Sequence, residues 1–191
     1  MNFNKHSNLE GMHAFLSPSK YHWLDYTDDQ LIRAYSTARA AARGTELHEF
    51  AKKCIELNVR LPDIPQTLNL YVNDAIGYRM TPEQPLVYSV NAFGTADAIS
   101  CRDGVLRIHD LKTGVSKVSM HQLEVYAALF CLEYDVNPSD LDVHLQIYQN
   151  NEVLVDNPDA NVIFHAMDKI VAFDRLIEEI KQEEASWTTT G

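Results

Sequence analysis

The feature that most constrains this chain is a change of hydrophobic rhythm near residue 86, with an Asp103-Gly104 pair inside the new rhythm. Leu86 to Val90, Thr95 to Cys101 and Val105 to Lys112 are short β-branched or alternating segments. Asn91 to Gly94 and Asp103-Gly104 separate them, and Asp-Gly favours the left-handed backbone of a tight hairpin. The spacing predicts three neighbouring strands in an antiparallel meander. On either side the rhythm is helical. Thr27 to Asn58 predicts a helix capped by Thr27 or Asp28, with a break near Gly44 and an apolar stripe at Leu47, Ala51, Cys54, Ile55 and Asn58. Thr67 to Arg79 predicts a second helix and Ser119 to Tyr134 a third, with Leu123, Tyr126, Ala127, Phe130 and Cys131 at helical spacing. Leu141 to Tyr148 returns to strand alternation, and Asn161 to Glu184 predicts a last helix. The expected fold class is α/β: helix, three-strand meander, helix, strand, with flanking helices around a small sheet.

No internal repeat or low-complexity tract interrupts the 191 residues, so 1–191 is expected to be a single domain. No apolar run is long enough to cross a bilayer, and the polar start MNFNKHSN lacks a signal peptide's apolar stretch. A cytoplasmic protein is expected. Cys54, Cys101 and Cys131 lie far apart without a C-x-x-C pair, which argues for core positions rather than disulfides or a four-cysteine cluster.

The meander also places chemistry. Side chains two apart on a strand face the same way, so Leu106, Ile108, Asp110 and Lys112 share one face. A carboxylate beside an ammonium at a strand end holds a divalent cation and orients an attacking water. Asp-x-Lys alone is weak, since about 0.7 instances are expected by chance in a chain of this length. Asp97 changes the weighting, because pairing across the Asp103-Gly104 turn brings a second carboxylate close, and two such acids repel unless protonated or bridged by a cation.

GTAD at Gly94 to Asp97, followed by DLKTG at Asp110 to Gly114, resembles the core signature of RecB-like PD-(D/E)XK nucleases, the branch that includes phage-type exonucleases. GTELHEF at Gly44 to Phe50 resembles that family's G-x-x-x-H element, and HQLEVYAALF at His121 to Phe130 its Q-x-x-x-Y helix. The resemblance spans roughly residues 44 to 130, with four motifs in the family's order. It implies a PD-(D/E)XK restriction-endonuclease-like core. It also implies His48, Asp97, Asp110 and the carbonyl of Leu111 as ligands of Mg²⁺ or Mn²⁺, with Lys112 stabilising developing charge and Gln122 and Tyr126 near substrate or the lysine. The imidazole of His48 makes Mn²⁺ an expected match at least equal to Mg²⁺.

Family members often carry a glutamate four residues after the motif histidine. That position is Lys52 here, which leaves Glu46 or Glu49 as substitutes. The cysteines that hold an iron-sulfur cluster in some relatives are absent, so no such cluster is expected. The activity implied is hydrolysis of DNA phosphodiester bonds, as an exonuclease at single- or double-stranded ends in phage or mobile-element recombination. A homo-oligomer or a recombination partner protein would then supply basic surface.

The formal net charge of −11 pulls the other way, because non-specific nucleic-acid binding is driven by basic residues displacing counterions. Two further readings therefore stand beside the enzyme. One is a catalytically inactive nucleic-acid- or protein-binding module, and the other an accessory subunit docking on a basic partner. Several residues have plainer readings too. His48 borders an apolar stripe, Tyr126 sits among packing residues, Gly94 and Gly114 punctuate turns, and His109 and His121 match no metal spacing. The acidic segment Asp174 to Glu184 reads as a solvated helix face with pairs such as Arg175 to Glu179 and Glu178 to Gln182.

Overall fold

The computed structural model describes residues 5–7 and 11–188, and the side chains of residues 186–188 are left aside. The chain divides into two compact units, Met1–Arg43 and Gly44–Gly191. In the first, a 3₁₀ segment at Pro18–Asp25 precedes the start of helix α1 (Asp28–Glu56). Thr27 is the cap: its N–H donates to Gln30 Oε1 at 2.8 Å, and Gln30 N–H returns to Thr27 Oγ1 at 3.3 Å. This reciprocal capping box satisfies two N–H groups that a helix start leaves unpaired. The rings of Phe15 and Tyr35 meet edge-on, 5.2 Å apart.

The second unit is a mixed α/β structure. Helix α2 (Thr67–Gly77) is followed by strands β1 (Thr81–Ser89), β2 (Ala92–Arg102) and β3 (Val105–Leu111), then helix α3 (His121–Tyr134), strands β4 (Asp142–Gln149) and β5 (Glu152–Asp156), and helix α4 (Ala160–Thr188). The five strands lie in the sheet in chain order. β1, β2 and β3 are the antiparallel meander that the Asp-Gly turn calls for, with Asp103 at φ 51° and Gly104 at φ 77°. β4 runs parallel to β3, because α3 carries the chain back across the sheet, and β5 is antiparallel to β4.

Two apolar clusters build the unit. One gathers Leu86, Ile99, Leu106 and Ile108 with Leu123, Ala127 and Cys131 of α3 and Ile163 of α4. The other joins Ala51, Cys54 and Ile55 of α1 and Tyr71, Val72, Ala75 and Ile76 of α2 to Ala98, Leu111 and Tyr148. Burial of this apolar area is the main force ordering the strand ends that carry polar groups.

The structure departs from the expected elements in three places. α1 runs through Gly44 without the expected break, because Gly44 is a close-packing position and not a helix end. β1 begins at Thr81 rather than Leu86. Pro82 and Pro85 masked its start, yet prolines are tolerated on a sheet's outermost strand. β5 was not anticipated, although Asn150 and Asn151, at φ 53° and 63°, form the left-handed two-residue turn that asparagines favour.

Cys101 is exposed near the end of β2, whereas Cys54 and Cys131 are buried as expected. Burial, with a contribution from Cys101, pushes the Cys131 thiol up to about 11. A disulfide-forming aromatic reagent at pH 8 is therefore expected to titrate one thiol per folded chain quickly and all three in denaturant. Rapid reaction of all three without denaturant would contradict this packing.

Candidate metal centre

The ladder between β2 and β3 ends at the pair Ala98–His109, and one residue further along each strand stand Asp97 and Asp110. There the backbone pairing gives way to a side-chain bond, in which Leu111 N–H donates to Asp97 Oδ2 at 2.8 Å. Leu111 thus joins the site through its amide. The chain continues along β4 instead: Lys112 N–H donates to Tyr148 O at 2.9 Å, which fixes the backbone from which the Lys112 side chain departs.

Asp110 is only 3% exposed. Lys112 Nζ lies 3.0 Å from each of its carboxylate oxygens and donates to Oδ1, while Oδ2 is buried without a hydrogen bond. Oδ2 is therefore held by charge alone, through the Lys112 ammonium, and has room for a further donor or cation. Lys112 Nζ also donates to Gln122 Oε1 at 2.9 Å, and Gln122 Nε2 reaches the Tyr126 hydroxyl at 3.4 Å. An ammonium has three donors. These two bonds leave a third for an oxygen outside the chain.

His48, on α1, brings its Nδ1 to 3.5 Å from Asp97 Oδ2 and 4.0 Å from Glu83 Oε1. His48, Glu83 and Asp97 form a group whose ligand atoms all lie within 4.8 Å of one another, one nitrogen and two carboxylates. Such a set suits a divalent cation accepting nitrogen and oxygen. Glu83 was missed from sequence. It faces Asp97 across the β1–β2 ladder, between the pairs Pro82–Ala98 and Gln84–Ala96, with φ 49°. A non-glycine residue in that left-handed region is strained, and such strain is found where a side chain must be re-aimed. Its sequence signal is only an acid between two prolines. Glu46 and Glu49, the proposed substitutes for the family's helical glutamate, are exposed, and Glu83 supplies the extra carboxylate from a different element.

The motif glycines act by close approach. A Cβ on Gly44 would fall 2.7 Å from Thr113 Oγ1, and one on Gly94 would fall 2.9 Å from a ring carbon of Tyr126. Gly44 therefore lets α1 press on the loop after β3, and Gly94 lets β2 press on α3. Gly114 meets nothing within 4 Å, consistent with simple punctuation. His109, fully buried, bonds through Nδ1 to the Tyr148 hydroxyl at 3.2 Å and is pushed down to about 3, by burial first and Arg107 second. His121 is exposed and pairs with Glu124 at 2.8 Å.

The electrostatics agree with the geometry. Asp97 is raised from 3.8 to about 6, mainly by burial and then by the charge of Asp110. The Leu111 amide and His48 pull the other way, and Glu83 adds to the rise. Burial raises the Tyr71 hydroxyl, and the charges of Asp97, Glu83 and Asp110 add to the rise. Compared with protein-family models, curated proteins and solved structures, the chain matches none.

Because Asp97 holds its proton more tightly in the fold than in the open chain, the metal-free protein loses stability as pH rises from 3.8 to about 6, and the deficit persists above. The scale is of the order of 2–3 kcal/mol. Asp97→Asn is expected to raise the Tm of the metal-free chain at pH 7.5 by roughly 5–10 °C, to flatten this pH dependence, and to remove any Tm rise caused by Mn²⁺. A variant that is less stable at pH 7.5 yet still stabilised by Mn²⁺ would contradict the assignment.

Proposed function

We propose that this chain is a metal-dependent DNA nuclease with a PD-(D/E)XK-type core, acting as an exonuclease in DNA processing or recombination. The observation that carries the reading is the meeting of Asp97, Asp110 and Lys112, from neighbouring strands, with His48 from α1 beside them. The order of the meander, α3 and the parallel β4 supports the same reading.

Under this reading His48, Glu83 and Asp97 would hold a Mg²⁺ or Mn²⁺ ion, and Asp110, whose Oδ2 takes no hydrogen bond, would be available to the same cation or a second one. When bound, the cation supplies Lewis acidity toward a phosphoryl oxygen and lowers the pKa of a bound water. The chain's own residues then do the positioning. Asp110 and Gln122 pin the Lys112 ammonium so that its remaining N–H points at a non-bridging oxygen or the attacking water, where charge develops. Tyr126 buttresses Gln122, and Gly94 makes room for the Tyr126 ring. The ordered ends of β2 and β3 hold this geometry before substrate arrives, so little is spent on reorganisation.

The net charge of −11 favours a role at strand ends, where few phosphates need contact, over wrapping of long duplexes. Among the described residues no helix is long and apolar enough to cross a membrane.

End-labelled linear single- and double-stranded DNA, with a circular control, is expected to be degraded in Mn²⁺ at least as fast as in Mg²⁺. EDTA is expected to stop the reaction and Lys112→Ala to slow it by 10²-fold or more. Circle resistance would establish end dependence. A folded, cation-loaded wild type that cleaves nothing would transfer the assignment to a binding module or accessory subunit on the same fold.

A further inference from the structure

Lys112 stands between two cavities. One, of about 200 Å³, is lined by Leu47, Leu68, Leu111 and Thr113. The other, of about 360 Å³, opens between the loop after β3 and the start of α3, and its walls carry Lys112, Ser116, Lys117, Ser119, Gln122 and Gln149. In a chain of net charge −11 this second lining holds two lysines and no acidic residue. Lys117 is exposed and forms no ion pair among the described residues.

The wall is built rather than incidental. Gln149, 8% exposed at the end of β4, donates through Nε2 to Gly114 O at 2.6 Å and to Ser116 O at 2.9 Å, which ties the loop to the sheet. Ser119 Oγ takes the His121 N–H at 3.3 Å, so its hydroxyl hydrogen is left to donate into the cavity. The first turn of α3 adds the partial positive charge of a helix start. Two ammonium groups and hydroxyl donors, with the one acid of the first turn of α3, Glu124, outside the lining and paired with His121, form a wall suited to a phosphate dianion or diester.

We propose that this cavity binds a second phosphate of the nucleic-acid strand, next to the one presented to Asp110 and Lys112, an inference that rests on the nuclease reading. Lys112 faces both positions, since its ammonium is bonded to Asp110 on one side and to Gln122, a residue of the cavity wall, on the other. The neighbouring phosphate of a bound strand must be placed away from Glu83, Asp97 and Asp110, and Lys117 offers it a counter-charge. The strand then lies across Lys112 with one phosphate in the acidic, cation-binding pocket and the next in the basic one, which sets its register. The shared ligand chemistry is a phosphate, either an internal diester or a terminal monoester.

The test is fluorescence anisotropy of a labelled single-stranded oligonucleotide with the full chain in EDTA, where cation-dependent cleavage is silent. Strands of one sequence carrying either a 5′-phosphate or a 5′-hydroxyl are compared. Lys117→Ala is expected to weaken binding roughly threefold to tenfold and to lower the slope of log K against log salt by about one, with Lys117→Arg restoring both. Lys53→Ala, on the exposed side of α1, is expected to bind as wild type does, and Lys117→Ala to keep the wild-type Tm. A loss confined to the 5′-phosphorylated strand assigns the cavity to a terminal phosphate, and an equal loss on both strands to an internal one. Wild-type binding by both Lys117→Ala and Ser119→Ala would overturn the proposal even if the chain cleaves DNA, as would a wild type that binds neither strand. Binding that depends on Lys117 without any cleavage in Mn²⁺ would leave the cavity standing and remove the nuclease reading.

Discussion

The constraint on which the site of the second unit depends is the burial of Asp97 beside the charge of Asp110, where the β2–β3 ladder ends. Neither is placed by local preference. Asp97 sits there because the Asp103-Gly104 turn fixes the register, and Asp110 because β3 is locked between β2 and the parallel β4. Burial makes their mutual repulsion stronger than it would be in water. Three nearby groups answer it, Leu111 N–H and His48 on Asp97 and Lys112 on Asp110, while Glu83 adds to it. The Asp110 Oδ2 oxygen is held only by the Lys112 charge and takes no hydrogen bond. Under the proposed function a cation would complete the compensation, and metal binding would then relieve an electrostatic cost carried by the metal-free fold.

The same site explains why motifs far apart in the chain meet. Gly44 and Thr113 can approach closely because glycine carries no Cβ to clash, and the same holds for Gly94 and Tyr126. One contact seats α1, and with it His48, against the loop after β3. The other seats α3, and with it Gln122, against β2. The acidic helix α4 has a structural use of its own, since Asp174 and Glu178 bond to Asn91 in the turn between β1 and β2, and Asp174 also bonds to Ser89. Arg175 pairs with Glu179 as expected, but Glu178 pairs with Lys181 rather than Gln182.

Much of this was legible in sequence where the physics is local. Alternation and the Asp-Gly turn specify β2 and β3, and helical spacing specifies α2 and α3. From those two strands the closeness of Asp97 and Asp110 follows. Glu83 was not legible, because its place depends on the register of an outer strand whose two prolines hide it. β5 was hidden behind an asparagine turn weaker in sequence than Asp-Gly. The exposure of Cys101 reflects which end of β2 stays uncovered, a tertiary matter that a cysteine's usual burial does not reveal. The cavity behind Lys112 depends on Gln149 pulling the loop inward from a strand more than thirty residues away.

The most direct measurement of the central claim is crystallographic: Mn²⁺-soaked crystals of the full chain, with anomalous difference maps recorded at the manganese edge. A peak within about 2.0–2.4 Å of His48, Glu83 and Asp97 ligand atoms is expected, with Asp110 Oδ2 turned toward it or toward a second peak. Well-ordered crystals at saturating Mn²⁺ with no anomalous peak among these residues would show that the acids are held by protonation and hydrogen bonds alone, and would contradict the metal centre.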